Sequence, residues 1–444
     1  MKLHGTMQIN TQGHLEIGGC DVTWLARRFG TPLYILDEEY LRSQCRSYRK
    51  ELDRLYPDSL AIFASKALMT GAICKIIQSE GMGLDVVSGG ELYTAARADF
   101  PLDKVFFHGN NKSPEELKMA LEYGVGQIVV DNLGELNSLN RLAMAKGAKA
   151  RILLRITPGI DAHTHSYTQT GQQDSKFGLG IAAGVAEAAV RHCLTLPGVE
   201  LVGLHCHIGS QIFDIEPFGL AVKVMFDLLA KLREDTGFIA KVLDMGGGLG
   251  VFYHEGDDPP AVACCVAKIA GAVKECCALH NYPLPRLILE PGRSIVGEAG
   301  TTIYTVGVIK EIPGVRTYLA VDGGMADNPR VALYQAEYEA VIANKAGQTP
   351  GRLVTVAGKC CESGDILIRD IRLANPEPGD ILAVFTTGAY NYSMASNYNR
   401  LPRPAMVLAH KGSADIIVAR ETYEDLISLD RIPERLQKGA CVPA

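Results

Sequence analysis

LAIFASK, residues 60–66, is an apolar β-like run that stops on a lysine, and seven runs of the same kind follow it. They are GLDVV (83–87), VFFH (105–108), QIVVD (127–131), RILLRI (151–156), LVGLHCH (201–207), VLDM (242–245) and LILE (287–290). Near-continuous apolarity marks strands covered on both faces. Longer helical patterns separate them, such as Ser113–Tyr123, which opens Ser-Pro-Glu-Glu with a capping residue, a first-turn proline and two acids. Eight such strands alternating with helices predict a (β/α)8 barrel over residues 37–298. Beyond it TTIYTVGVIKEI (301–312), TYLAVDGG (317–324), GRLVTVAG (351–358) and PGDILAVF (378–385) read as strands broken by Gly and Pro turns. Residues 299–444 are therefore expected to form a separate β domain, with helical spacing returning only around 389–397. The segment 1–36 contributes to that domain, with a strand in TPLYILD (31–37).

The chain has 444 residues, 47% hydrophobic and 21% charged, with 44 Lys+Arg against 50 Asp+Glu and a net charge of −6. This excludes a disordered chain and fits a barrel with a smaller domain. A near-neutral balance without a long basic run argues against nucleic acid as a partner. The opening MKLHGTMQIN lacks an apolar signal core, and no run of about 18 apolar residues occurs, so neither secretion nor a membrane span is expected. Twelve cysteines stand singly or as adjacent pairs, without C-x-x-C spacing. Reduced thiols in a cytoplasmic enzyme fit better than disulfides or structural zinc.

Barrel sites form at the C-terminal strand ends. Those ends here carry Lys66, Asp85, His108, Asp131, Arg155, His207-Ile-Gly-Ser210, Gly246-Gly-Gly248 and Glu290-Pro-Gly-Arg293. Many polar and glycine endings on one rim make a site hypothesis. Lys66 is either an ordinary solvent lysine or an amine held at the barrel mouth, partly desolvated and nucleophilic. Gly246–Gly248 is either a flexible turn or a place where bare backbone N–H groups approach a phosphate. Glu290 either pairs with Arg293 or sits beside a pyridine nitrogen and keeps it protonated, freeing Arg293 to clamp a carboxylate. His205 and His207 share a strand face, and with His108, Asp131, His163 or His165 they could hold zinc. The other reading is one packed histidine and one stacked on a ring. In the β domain, Cys361-Glu362 could supply a proton donor and an acceptor for an amine, or be a plain turn. Tyr390 could reach a phosphate or pack in the core. Asp327-Asn-Pro-Arg330 and Tyr334 form a further polar group.

Together FASKA (63–67), GLDVVSGGEL (83–92), DAHTHSYTQTGQQDSKFG (161–178), GLHCHIGSQ (203–211), DMGGGLG (244–250), EPGRSIV (290–296), CESGD (361–365) and GAYNYSMASNYN (388–399) resemble the alanine-racemase-like, fold type III pyridoxal-phosphate enzymes. Within that class they resemble the diaminopimelate decarboxylase family, in order and spacing, over residues 30–420 or so. The resemblance implies pyridoxal 5'-phosphate as cofactor, no metal, and decarboxylation of meso-diaminopimelate to L-lysine and carbon dioxide. It implies that Lys66 carries the cofactor and that His207 stacks on its ring. Ser210, Gly246, Gly247, Gly248, Gly292 and Arg293 would cradle its phosphate, and Glu290 would face the pyridine nitrogen. Asp85 and Arg155 would support them. Arg293, Arg330 and Tyr334 would contact substrate, and Tyr390 phosphate or substrate. Cys361 and Glu362 would come from the other subunit of a head-to-tail homodimer, with Cys361 near the reacting carbon.

The chain departs from the family pattern at Phe63, where Tyr is usual, at Leu249, where Phe is usual, and at Gly358-Lys359-Cys360, where Gly-Pro is common. Four rival readings stand beside this one: a related decarboxylase of ornithine, arginine or lysine, a racemase on the same fold, a zinc-dependent barrel hydrolase, and a non-catalytic homologue.

Overall fold

The computed structural model describes residues 2–160, 175–182 and 184–437. His163, His165 and most of the DAHTHSYTQTGQQDSKFG segment lie outside the described residues.

All eight expected strands are present: β1 (Ser59–Ala64), β2 (Gly83–Val86), β3 (Val105–Phe107), β4 (Gln127–Val130), β5 (Ala150–Thr157), β6 (Val199–Cys206), β7 (Val242–Asp244) and β8 (Arg286–Leu289). Each pairs in parallel with the next. The sheet closes where Leu287, Ile288 and Leu289 of β8 meet Ser59, Leu60 and Ala61 of β1. Ile62, Phe106, Val129, Leu153, Val202, Val242 and Ile288 fill the interior as one apolar cluster. The barrel is therefore plugged beneath its mouth, and the chemistry is confined to the strand ends.

The helices between strands are set by local caps. At Pro114–Tyr123 the Ser113 hydroxyl accepts from the Glu116 N–H, and the Glu116 carboxylate accepts from the Ser113 N–H at 2.8 Å. Gly124 ends that helix in the left-handed region, where a side chain would be strained. Gly203 lets β6 lie close to β7, since a Cβ there would stand 1.8 Å from the Val242 carbonyl oxygen.

A second sheet is built around the long strand Gly300–Ile312. Leu33–Asp37 pairs antiparallel with it and parallel with Ala405–His410, so a segment preceding the barrel forms an inner strand of the C-terminal sheet. Asp37 ends that strand and caps the helix Glu38–Leu55 through the Tyr40 N–H, turning the chain directly into the barrel. The expected helical segment near 389–397 is only a short 3-10 turn at Tyr392–Met394. Its Ser393 hydroxyl and the Tyr390 N–H both donate to the Ala67 carbonyl, and this ties the segment to the barrel rim instead of a helix.

Candidate active site

A cavity of about 870 Å³ opens at the C-terminal ends of the strands, against the second sheet. Lys66 enters it from a 3-10 turn that directly follows β1. Its side chain is exposed to the open cavity, so the desolvation expected from sequence is not supplied by packing. Asp85 and Arg155 line the floor and wall. Arg155 sits over Phe177 with its Cζ 4.4 Å from the ring centre and its Nε 3.8 Å from Asp131. His207, half-buried, faces the same space. Burial and the neighbouring cations Lys66 and Arg155 hold its ring neutral, well below the usual histidine range.

Glu290 is buried at the end of β8 with His108 Nε2 2.9 Å from Oε1 and His205 Nε2 3.3 Å from Oε2. Burial raises a carboxyl, but here the two imidazoles outweigh it and hold Glu290 well below the carboxylate range. Asp244, on the neighbouring strand, goes the other way. Burial and the Glu290 charge push it well above its usual value, toward the neutral form. His205 thus meets His108 across Glu290, while His207 faces the cavity. The ligand atoms of His108, His205 and Glu290 lie within 4.8 Å of one another, but they already face each other.

Behind the rim is a recess of about 50 Å³ lined by Ser210, Gly248, Gly292, Arg293 and Tyr390. Gly292 has to be glycine here, because a Cβ would come 2.9 Å from the Ala64 methyl. The glycine run contributes only Gly248 to this recess. The N–H of Gly246 donates to Asp244 Oδ1 and that of Gly247 to His207 Nδ1, at 3.0 and 3.2 Å. These two N–H groups are turned inward, which corrects the expectation that the whole run faces a phosphate. Their lack of side chains answers backbone crowding instead: a Cβ on Gly247 would stand 2.0 Å from the Glu290 carbonyl oxygen.

Arg293 Nη2 donates to Ser210 and Nη1 to Tyr253 at 2.6 Å, with the guanidinium also over the Tyr390 ring at 4.8 Å. Arg330 donates to Tyr338 and sits 4.7 Å over the Tyr253 ring, and Tyr334 lines the same wall. Tyr253 therefore separates the two cations. Sequence reading missed it, together with Tyr338, because neither ends a strand with a motif of its own; Asp244 ends β7 and opens DMGGGLG, but the glycines that follow it drew the reading.

Cys361 and Glu362 are exposed and do not line the cavity of their own chain. Their loop is wound around buried Asp365, which accepts from the Cys360 and Met325 N–H groups at 2.8 and 2.7 Å. A Cβ on Gly358 would stand 2.2 Å from Asp365, so the unusual Gly358-Lys359-Cys360 still closes the loop tightly. Asn399 Oδ1 accepts from the Cys361 N–H at 2.7 Å.

Residues 38–297 match the family model described as pyridoxal-dependent decarboxylase, pyridoxal binding domain. The diaminopimelate decarboxylase of Bacillus subtilis (strain 168) is 52% identical over 430 residues, covering 97% of this chain and 98% of that one. The enzyme of the same name from Synechocystis sp. is 48% identical over 97% of this chain and 93% of its own. A solved structure of diaminopimelate decarboxylase from M. jannaschii in co-complex with L-lysine superposes with a TM-score of 0.91 at 37% identity, over 97% of this chain and 99% of that one. The chain belongs to the diaminopimelate decarboxylase family. Its cofactor is pyridoxal phosphate, and the site fits that group. Glu290 Oε1 and Asp85 Oδ1 are buried acceptors on the cavity without an aligned donor, and the recess offers the space and the arginine that a phosphate needs. Among the described residues, no helix is long and apolar enough to cross a membrane.

His205 also sets an acid limit on stability. Burial lowers the His205 pKa from 6.5 to about 4, against the opposing pull of Glu290. Between those values the unfolded chain binds a proton that the folded chain refuses, so stability falls as pH drops through that window, by up to about 3 kcal/mol. Thermal unfolding followed from pH 7 downward is expected to show this loss, and His205→Gln should flatten it. An unchanged slope in the variant would show that other groups carry the acid sensitivity.

Proposed function

We propose that this chain decarboxylates meso-2,6-diaminopimelate at its D centre to L-lysine and carbon dioxide, the last step of lysine biosynthesis, in the cytoplasm. The observation that carries this reading is a buried anionic acid, Glu290, facing a lysine-bearing cavity that Arg293 and Arg330 also line. The barrel over 37–298 holds the cofactor, and the 299–444 domain supplies Arg330, Tyr334 and Tyr390. When bound, pyridoxal phosphate acts as the electron sink for the breaking carbon–carboxylate bond. Lys66 would tether the cofactor through its amine, and His207 would lie against its ring. Glu290 holds a proton at the pyridine nitrogen, and a racemase would want the opposite there. Ser210, Gly248, Gly292 and Arg293 take the phosphate. Arg330 and Arg293 meet the carboxylate at the far end of the substrate, and Glu362 its ammonium. A plain diamine or lysine lacks one of these charges and leaves a buried group unpaired, so it is rejected. The proton that replaces carbon dioxide comes from Cys361 or Lys66.

Cys361 and Glu362 reach a site only if a second copy of the chain presents them, so the working unit is a head-to-tail homodimer with shared sites. Carbon dioxide release measured with diaminopimelate, lysine, ornithine and arginine tests the substrate. Release from diaminopimelate alone is expected, and preference for ornithine or arginine would replace this reading. Mixing inactive Lys66→Ala chains with inactive Cys361→Ala chains tests the sharing. Random pairing should restore about a quarter of wild-type activity, since half the dimers regain one intact site. No restoration despite chain exchange would place each site within one chain.

A further inference from the structure

The two oxygens of Glu290 face different imidazoles. His108 comes from the end of β3, with Nε2 2.9 Å from Oε1, and His205 comes from β6, with Nε2 3.3 Å from Oε2. The rings meet edge to face, 4.9 Å apart at 75°. An ionised carboxylate can only accept hydrogen bonds. His108 Nε2 also looks toward Asp85 Oδ1 at 3.8 Å, so a bare nitrogen there would oppose acidic oxygens on two sides. His205 therefore carries its ring proton on Nε2 and donates it to Oε2, whereas His108 Nε2 lies against Oε1 at 2.9 Å without the alignment of a hydrogen bond. The Nδ1 of His205 agrees with this, because it is buried without a partner, and it is the nitrogen a neutral ring leaves bare when Nε2 holds the proton. Neither histidine is adjacent to Glu290 in sequence. The barrel brings them together from three strands.

We propose that His108 and His205 are positioning residues for the decarboxylation, clamping Glu290 from both sides so that it stays anionic and aimed at the pyridine nitrogen of the cofactor. The inference rests on the reading of Glu290 as the pyridine partner. The surrounding charges make a clamp necessary. Asp85 on β2 and Asp244 on β7 crowd Glu290 with acid, while Lys66 after β1 and Arg155 on β5 supply the nearby positive charge. Three carboxyl groups in one buried space cannot all ionise, and the one that holds the charge is the one the imidazoles face. Asp244 lacks such a pair of imidazoles and is the acid pushed toward its neutral form.

The test is the 15N chemical shift of the pyridine nitrogen in holoenzyme reconstituted with ring-15N-labelled pyridoxal phosphate, read beside steady-state kinetics. Wild type should show a protonated nitrogen. The His108→Leu/His205→Leu double variant should shift toward the unprotonated value and lose about ten- to a hundredfold in kcat, with KM changed less than about threefold. His108→Gln/His205→Gln places an N–H near each oxygen and should recover most of both readouts. If the leucine double variant does not fold, His205→Leu alone should give a partial shift in the same direction. A nitrogen that stays protonated in the leucine variants, or glutamine variants no better than leucine, overturns the clamp. Glu290→Gln separates the two layers of the argument. If the nitrogen loses its proton in Glu290→Gln but keeps it in the leucine variants, the clamp alone is wrong. If it keeps the proton in Glu290→Gln as well, Glu290 is not the pyridine partner.

Discussion

Lys66→Ala is expected to yield a folded protein without the visible absorption of the bound cofactor, and with carbon dioxide release reduced by about four orders of magnitude or more, the scale seen when a covalent catalytic group is deleted. Lys66 is exposed on a 3-10 turn whose neighbours Ser65 and Ala67 are buried, so the backbone is fixed while the side chain is free to project into the cavity. Truncating it opens no hole in the core, and thermal stability should change by less than about 0.5 kcal/mol. The cofactor can still enter, because the phosphate recess and Glu290 remain, but no amine links it to the chain. Absorbance, borohydride labelling and calorimetry on one preparation would settle the matter. A reducible linkage that persists in the variant would move the tether to another lysine. Lys112 does not fit that role, since its ammonium is buried and already donates to Gly109, Val129 and Glu135.

Glu290→Gln is expected to lower kcat by about 10²- to 10³-fold, the cost of removing one preorganised electrostatic partner from a buried site. It should also destabilise the protein, by roughly 1–3 kcal/mol, because a glutamine sets an N–H₂ against one of the two buried imidazoles that now face carboxylate oxygens. Substrate affinity should change far less, since Arg293 and Arg330 do not touch Glu290 in the structure and are held by Tyr253, Ser210 and Tyr338. Steady-state kinetics and denaturant titration check both numbers. A rise in KM with kcat unchanged would recast Glu290 as a substrate contact.

The strands and their polar ends were legible because each apolar run is a local signal and a barrel puts every strand's C-terminal end on one rim. Lys66, Asp85, Arg155, Glu290 and Arg293 could be found that way, and the structure brings them to one cavity. The glycine run was read with less precision. Its residues mark a close approach, but whether backbone or ligand does the approaching depends on β6 and β8, which sequence spacing does not locate. Tyr253 and Tyr338 lie on no motif, and their hold on the two arginines appears only once the second sheet is set against the barrel.

By itself the sequence determined the barrel, the second sheet, the chemical character of the rim and the family resemblance, because periodicity and strand-end residues are properties of short segments. Tertiary structure alone decided which nitrogen faces which oxygen. It set His205 against Glu290 with His108, and it turned Gly246 and Gly247 inward. It also left Cys361 and Glu362 outside their own chain's cavity. Those choices depend on distances of a few ångströms between strands far apart in the chain, fixed by barrel closure and by the packing of the second sheet against its mouth.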